Sequence, residues 1–235
     1  MILALAPMDG ITDLACRVIT KKIFEKYNKN PEYQFTLRTE FMTSDGYVAN
    51  PDKVIKHIIH TDFEDPIVLQ IFNKKKLLET ALDIEKKYNK IFIELNTGCP
   101  ANNVMKSSAL LKNKESTLNI IKTLSKNLKV PFSIKSRTGL NEEDKKKQMD
   151  FLTEASNFCH MITIHARTLK ELYSGDDREF IYELKKKANK NCKIINAIKN
   201  FNEITNKIQN LDGVMIGQSA INPRIFTNHS PTIQE

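Results

Sequence analysis

Eight short apolar runs, each closing on polar residues, constrain this chain more than any other feature. They span residues 2–6, 35–38, 66–71, 91–96, 132–136, 161–165, 193–196 and 213–217. Most are continuous rather than alternating, as parallel strands covered on both faces should be. Polar-faced helical segments lie between them. In residues 74–87, Leu77, Leu78, Ala81, Leu82 and Ile84 form one apolar stripe, and residues 141–155 and 200–208 read similarly. Eight strands alternating with helices predict an α/β fold, a (β/α)8 TIM barrel rather than an open sheet.

The runs end in PMDG, RTEF, QIF, NTGCP, KSRTG, IHART and VMIGQ. In a barrel of this kind the C-terminal strand ends carry the active site whatever the chemistry. An open doubly wound sheet would also bind ligands there, so the polar ends mark a site without proving closure.

At 235 residues the chain is of one-barrel size, and it is read as one domain over residues 1–235. No apolar run approaches the ~18 residues of a membrane span. The start, MILALAPMDG, is apolar but has no basic lead and meets Pro7 and Asp9 at once. A cytoplasmic protein is expected. The net charge of +8 and pI of about 9.2 suit a polyanionic partner such as RNA, although a Lys-rich composition alone would give the same balance. Cys16, Cys99, Cys159 and Cys192 show no C-x-x-C and no zinc-type spacing, so neither a metal site nor a disulfide framework is expected. Cys99, between a glycine and a proline just after an apolar run, is left open as nucleophile, proton donor or bystander.

Several residues converge on the strand ends. Lys135 can hold an anionic or carbonyl-rich ligand there. His165 lies on the neighbouring strand, and Gln70 offers an amide suited to a heterocycle. Gly213 and Gly217 bracket the eighth strand, where barrels often bind phosphate. With no G-x-G-x-x-G and no P-loop pattern, a planar, phosphate-bearing cofactor such as flavin mononucleotide (FMN) fits better than a dinucleotide or a nucleoside triphosphate.

LAPMDGITD, VLQIF, ELNTGCP, SIKSRTG, ITIHART and GVMIGQSA, in this order, resemble the tRNA-dihydrouridine synthase family over nearly the whole chain. The resemblance implies reduction of uridine to 5,6-dihydrouridine in tRNA through FMN, with NADPH or NADH as reductant. It implies that Pro7 and Met8 lie against the flavin ring and that Gln70, Lys135 and His165 hydrogen-bond it. Gly217, Gln218 and the Asn196 loop would hold the phosphate. Asn96 and Arg137 would face the uridine, with Arg167 between substrate and cofactor, and Cys99 would be the proton donor to C5. A thiol with a pKa near ~8.5 is protonated at neutrality yet gives up its proton readily. Two other readings are a flavin-less RNA-binding relic and an FMN barrel that reduces a small pyrimidine.

The chain departs from the family pattern in one consistent way. Lys106 runs straight into Ser107, QIFGGN is shortened to QIFN at Gln70–Asn73, and IIGNGxIKNF is shortened to IINAIKNF at residues 194–201. Each change removes glycines without replacing them, and only 7 remain in the chain. A gene whose glycines include codons read elsewhere as stop (UGA) would give this pattern. Gln218 stands where the family carries arginine, and the further helical domain with which the family grips tRNA is expected to be absent, the barrel being C-terminally truncated.

Overall fold

The computed structural model describes residues 1–73, 75–98, 110–172, 174–199, 203–204 and 208–227. Eight parallel strands close into a barrel in sequence order, with β1 pairing to both β2 and β8. They are β1 (Ile2–Leu5), β2 (Gln34–Thr43), β3 (Ile67–Phe72), β4 (Ile91–Asn96), β5 (Phe132–Gly139), β6 (Met161–Thr168), β7 (Lys193–Ile198) and β8 (Gly213–Ile216). The α-helices among the described residues are α1 (Leu14–Tyr27), α2 (Ser44–Ala49), α3 (Pro51–Val54), α4 (Leu77–Lys87), α5 (Lys114–Asn127), α6 (Lys145–Ala155) and α7 (Arg178–Lys187). The fold is the (β/α)8 barrel expected from the sequence, and closure excludes the open sheet.

Side chains alternate between two buried layers, as strand geometry requires. Ile2, Ala4, Ala6, Met161, Ile195 and Met215 form a small cluster inside the barrel. Leu3, Leu5, Ile162, Ile164, Ile194, Val214 and Ile216 belong to the larger layer between strands and helices. Polar side chains close the helix starts. Asp13 accepts the Cys16 N–H, Asn113 that of Ser116 and Asp177 that of Phe180, each satisfying a donor that the first turn leaves open.

Three strands outrun their apolar cores. β2 continues through Arg38 to Thr43, β5 to Gly139 and β6 to Thr168, so the polar residues at these ends are sheet rather than loop. Register shifts between Arg38 and Phe41, and between Arg137 and Gly139, mark where the pairing bends. α4 starts with the apolar stripe at Leu77, later than the segment read over residues 74–87, because Lys76 ahead of it takes a left-handed conformation at φ 62°. Most of the helix expected over 200–208 lies outside the described residues.

Candidate active site at the barrel mouth

The strand register brings the polar residues named above into one column. Gln70 pairs with Glu94, Asn96 with Lys135, Lys135 with Thr163, and Arg137 with His165. These share the alternation phase of the lumen-lining residues, so Gln70, Asn96, Lys135, Arg137 and His165 line the C-terminal half of the barrel, and Arg167, beyond the register shift, is close enough for its charge to act on His165. Pro7 and Met8 follow β1 at the same end, and Met8 packs on the lumen cluster. The Met8 turn is tied down by Thr12, whose hydroxyl accepts the Met8 N–H at 2.9 Å and donates to the Met8 carbonyl at 3.1 Å.

Below this column lie two residues that the reading of the sequence missed. Arg38 Nε meets Glu94 Oε2 at 3.2 Å, with both side chains fully buried. Glu94 Oε1 accepts from Gln70 Nε2 at 2.7 Å, and Gln70 Oε1 accepts from Asn96 Nδ2 at 3.0 Å. Asn96 Oδ1 in turn accepts the Gly98 N–H at 3.1 Å. The signal was present in the sequence: Glu94 interrupts an apolar run in phase with Asn96, and a carboxylate there needs a buried partner.

The electrostatics of the mouth are cationic. Burial first, and then the positive charges of Lys135, Arg137 and Arg167, push the His165 pKa down to about 2, so its imidazole is neutral and offers one donor and one acceptor. Arg137 is nearly buried, and its guanidinium holds backbone. Nε donates to the Gly98 carbonyl at 2.9 Å, and Nη1 to those of Thr168 and Leu172, each at 2.9 Å. The resemblance implies that Arg137 faces the uridine; these bonds also fasten the β4 end to the β6 end. Gly98 is packed so closely that a Cβ would come within 3.1 Å of the Arg137 nitrogen and of the Ser136 carbonyl carbon.

A second cluster stands at the rim. The ligating atoms of Asp9, Glu40 and His57 lie within 4.8 Å of one another. Glu40 Oε1 accepts the Gly10 N–H at 2.5 Å and Oε2 meets His57 Nδ1 at 3.1 Å, so its oxygens brace the loop after β1 against β2. A cavity of about 620 Å³ lies on the outer wall between α4 and α5, lined by Leu77, Leu78, Asn113, Ser116, Asn119 and Ile120, away from the mouth. The charge and register of the lumen, rather than that volume, locate the site. No described helix is long and apolar enough to cross a membrane.

The family model "Dihydrouridine synthase (Dus)" matches residues 4–235. The chain belongs to the dihydrouridine synthase family. It is 26% identical over 224 residues to the "Probable tRNA-dihydrouridine synthase" of Rickettsia conorii, covering 92% of this chain and 65% of that protein. It is 28% identical over 243 residues to the "tRNA-dihydrouridine(20/20a) synthase" of Escherichia coli O6:H1, covering 95% and 70%. To the protein of the same name from Vibrio vulnificus it is 26% identical over 260 residues, covering 97% and 75%. The chain thus spans about 65% of the length of the first of these relatives.

Two places where the family pattern quoted above has further glycines carry physical marks. Asn73, just after β3, holds φ 95°, in the region that favours glycine. Asn196 lies within β7 rather than in a loop. It pairs with Ile164 and Val214 in the layer that faces the helices, is fully buried, and neither amide atom has a hydrogen-bond partner among the described residues. One residue more before Asn196 would turn it to the lumen, since a single-residue shift reverses the face of every strand side chain. Gly217 follows β8, with only the Ala6 Cβ near its own Cβ position, and Gln218 beyond it is exposed. Cys99 lies outside the described residues. The other three cysteines are unpaired.

Proposed function

We propose that residues 1–235 form an FMN-binding catalytic barrel that reduces uridine in tRNA to 5,6-dihydrouridine in the cytoplasm, with NADPH or NADH as reductant. The observation that carries this reading is the column of Gln70, Asn96, Lys135, Arg137 and His165 at one end of a closed barrel in a dihydrouridine synthase family member.

The donor set fits FMN. A neutral imidazole and two amides suit the polar edge of a planar heterocycle, and the positive charges around His165 suit an electron-rich ring and a phosphate. The Thr163 hydroxyl, buried in the lumen beside Lys135 without a partner, leaves a further donor and acceptor for a ligand. Pro7, Met8, Gln70, Lys135 and His165 would hold the ring. Gly217 and Gln218 would hold the phosphate through backbone N–H groups, and Asn196 would join them once turned to the lumen. Bound FMN would supply the hydride that C6 of uracil accepts.

The chain's own residues do the rest. Asn96 and Arg167 orient the base, Arg137 fixes the backbone that leads to Cys99, and the Cys99 thiol gives its proton to C5. The base must leave its stack to reach the mouth, and the basic surface steadies the tRNA backbone. The test is Cys99→Ala. NADPH should still reduce the flavin while no dihydrouridine forms in tRNA. Product at the wild-type rate would remove Cys99 from the mechanism.

A further inference from the structure

We infer that Glu94 is a positioning residue: clamped by Arg38, its carboxylate decides which end of the Asn96 amide faces a ligand in the mouth, and it holds the Gly98 N–H in place. The ligand half of this inference rests on the flavin reading above; the backbone half does not.

An ionised carboxylate only accepts hydrogen bonds. With Oε2 of Glu94 held by Arg38 at 3.2 Å, Oε1 takes an N–H of Gln70 at 2.7 Å. That turns the Gln70 carbonyl toward Asn96, which must answer with its amino group, at 3.0 Å. Asn96 Oδ1 is then left for the Gly98 N–H, at 3.1 Å. Every donor in the chain points from Gly98 toward Glu94, so reversing one amide sets donor against donor or acceptor against acceptor. Arg38 has its own supports, Thr36 Oγ1 at 3.2 Å and the Met161 sulfur at 3.9 Å, which keep the ion pair from swinging away.

Two consequences follow for the mouth. Gln70 is fully buried and Asn96 partly exposed, so the relay sets first the amide assigned above to the flavin ring and then the more open amide assigned to the base. The Asn96 amino group has one further N–H to give, and the site therefore selects a hydrogen-bond acceptor, such as a ring carbonyl, at that point. Gly98 is also held from the other side, through its carbonyl by Arg137 Nε at 2.9 Å, and is packed against β5 with little room for a Cβ. The residue so fixed is the one bonded to Cys99.

Two double variants separate this role from a general part in stability. R38M/E94Q removes both charges but keeps an acceptor oxygen for Gln70, while R38M/E94L removes the acceptor as well. Replacing a buried ion pair as a unit is commonly tolerated, so the two are compared at matched Tm. The readouts are hydrogen exchange at the Gly98 amide in the flavin-free protein and FMN affinity by flavin fluorescence. Against R38M/E94Q, R38M/E94L should exchange the Gly98 amide about tenfold faster and bind FMN about tenfold more weakly, the scale of one ordinary hydrogen bond. Equal Gly98 exchange in the two variants would overturn the inference. If R38M/E94L does not fold, Gln70→Met, which cuts the relay and leaves the ion pair intact, must lose the same protection, and retained protection there overturns the inference equally. A wild-type chain that binds no FMN would defeat the flavin reading, while the exchange comparison still decides the role of Glu94.

Discussion

Arg38 and Glu94 meet inside the barrel with Nε and Oε2 3.2 Å apart and neither side chain exposed. A charge left alone there has no water to turn to. Glu94→Ala should therefore cost about 3–5 kcal/mol in urea unfolding, as breaking a buried pair does, while R38M/E94L should cost clearly less. Equal losses would mean that the pair is solvated when folded.

His165 makes stability depend on pH in a defined direction. Its pKa falls from 6.5 to about 2 on folding, so below 6.5 the unfolded chain binds a proton that the folded barrel refuses. This contribution is fully present above pH 6.5 and is lost as pH falls toward the folded value, by up to about 1.4 kcal/mol per pH unit. His165→Gln should flatten the acid limb of a Tm–pH profile between pH 6 and pH 4. An unchanged limb would show that the imidazole protonates in place.

Asn196 is a polar side chain in an apolar layer, buried with both amide atoms unpaired among the described residues. Unmet groups of this kind cost about 1–3 kcal/mol, so Asn196→Leu should raise Tm. Inserting one glycine between Ile195 and Asn196 should raise it too, by turning the amide to the lumen. The coding DNA across residues 193–201 should carry a codon for that glycine. A lower Tm in both proteins would mean that the register is right as it stands.

The barrel was legible because buried parallel strands leave continuous apolar runs, and all eight were placed to within a few residues except where β2, β5 and β6 run on through polar residues. Those extensions are hidden in a single sequence because Arg38 finds Glu94 across the lumen and Arg137 finds the carbonyls of the neighbouring strand ends, which propensity does not see. Gln70, Lys135 and His165 were legible from strand-end position alone, and Asn96 only through the family resemblance. For Glu94 the sequence signals a need for a buried partner but not which one, since its partners come from β2 and β3, 56 and 24 residues away. The resemblance gives Arg137 a place beside the uridine, and nothing in the sequence shows that its Nε and Nη1 also hold the carbonyls of Gly98, Thr168 and Leu172.

The most direct test of the account is a single turnover without oxygen. FMN-loaded protein is reduced with one equivalent of NADPH, unmodified tRNA is added, and flavin absorbance is followed while the tRNA nucleosides are analysed by mass spectrometry. The account predicts that tRNA reoxidises the flavin and that uridine gains two hydrogens in matching amount, with free uridine far less effective. Flavin that stays reduced in the presence of tRNA, or that reoxidises without any dihydrouridine, would contradict it.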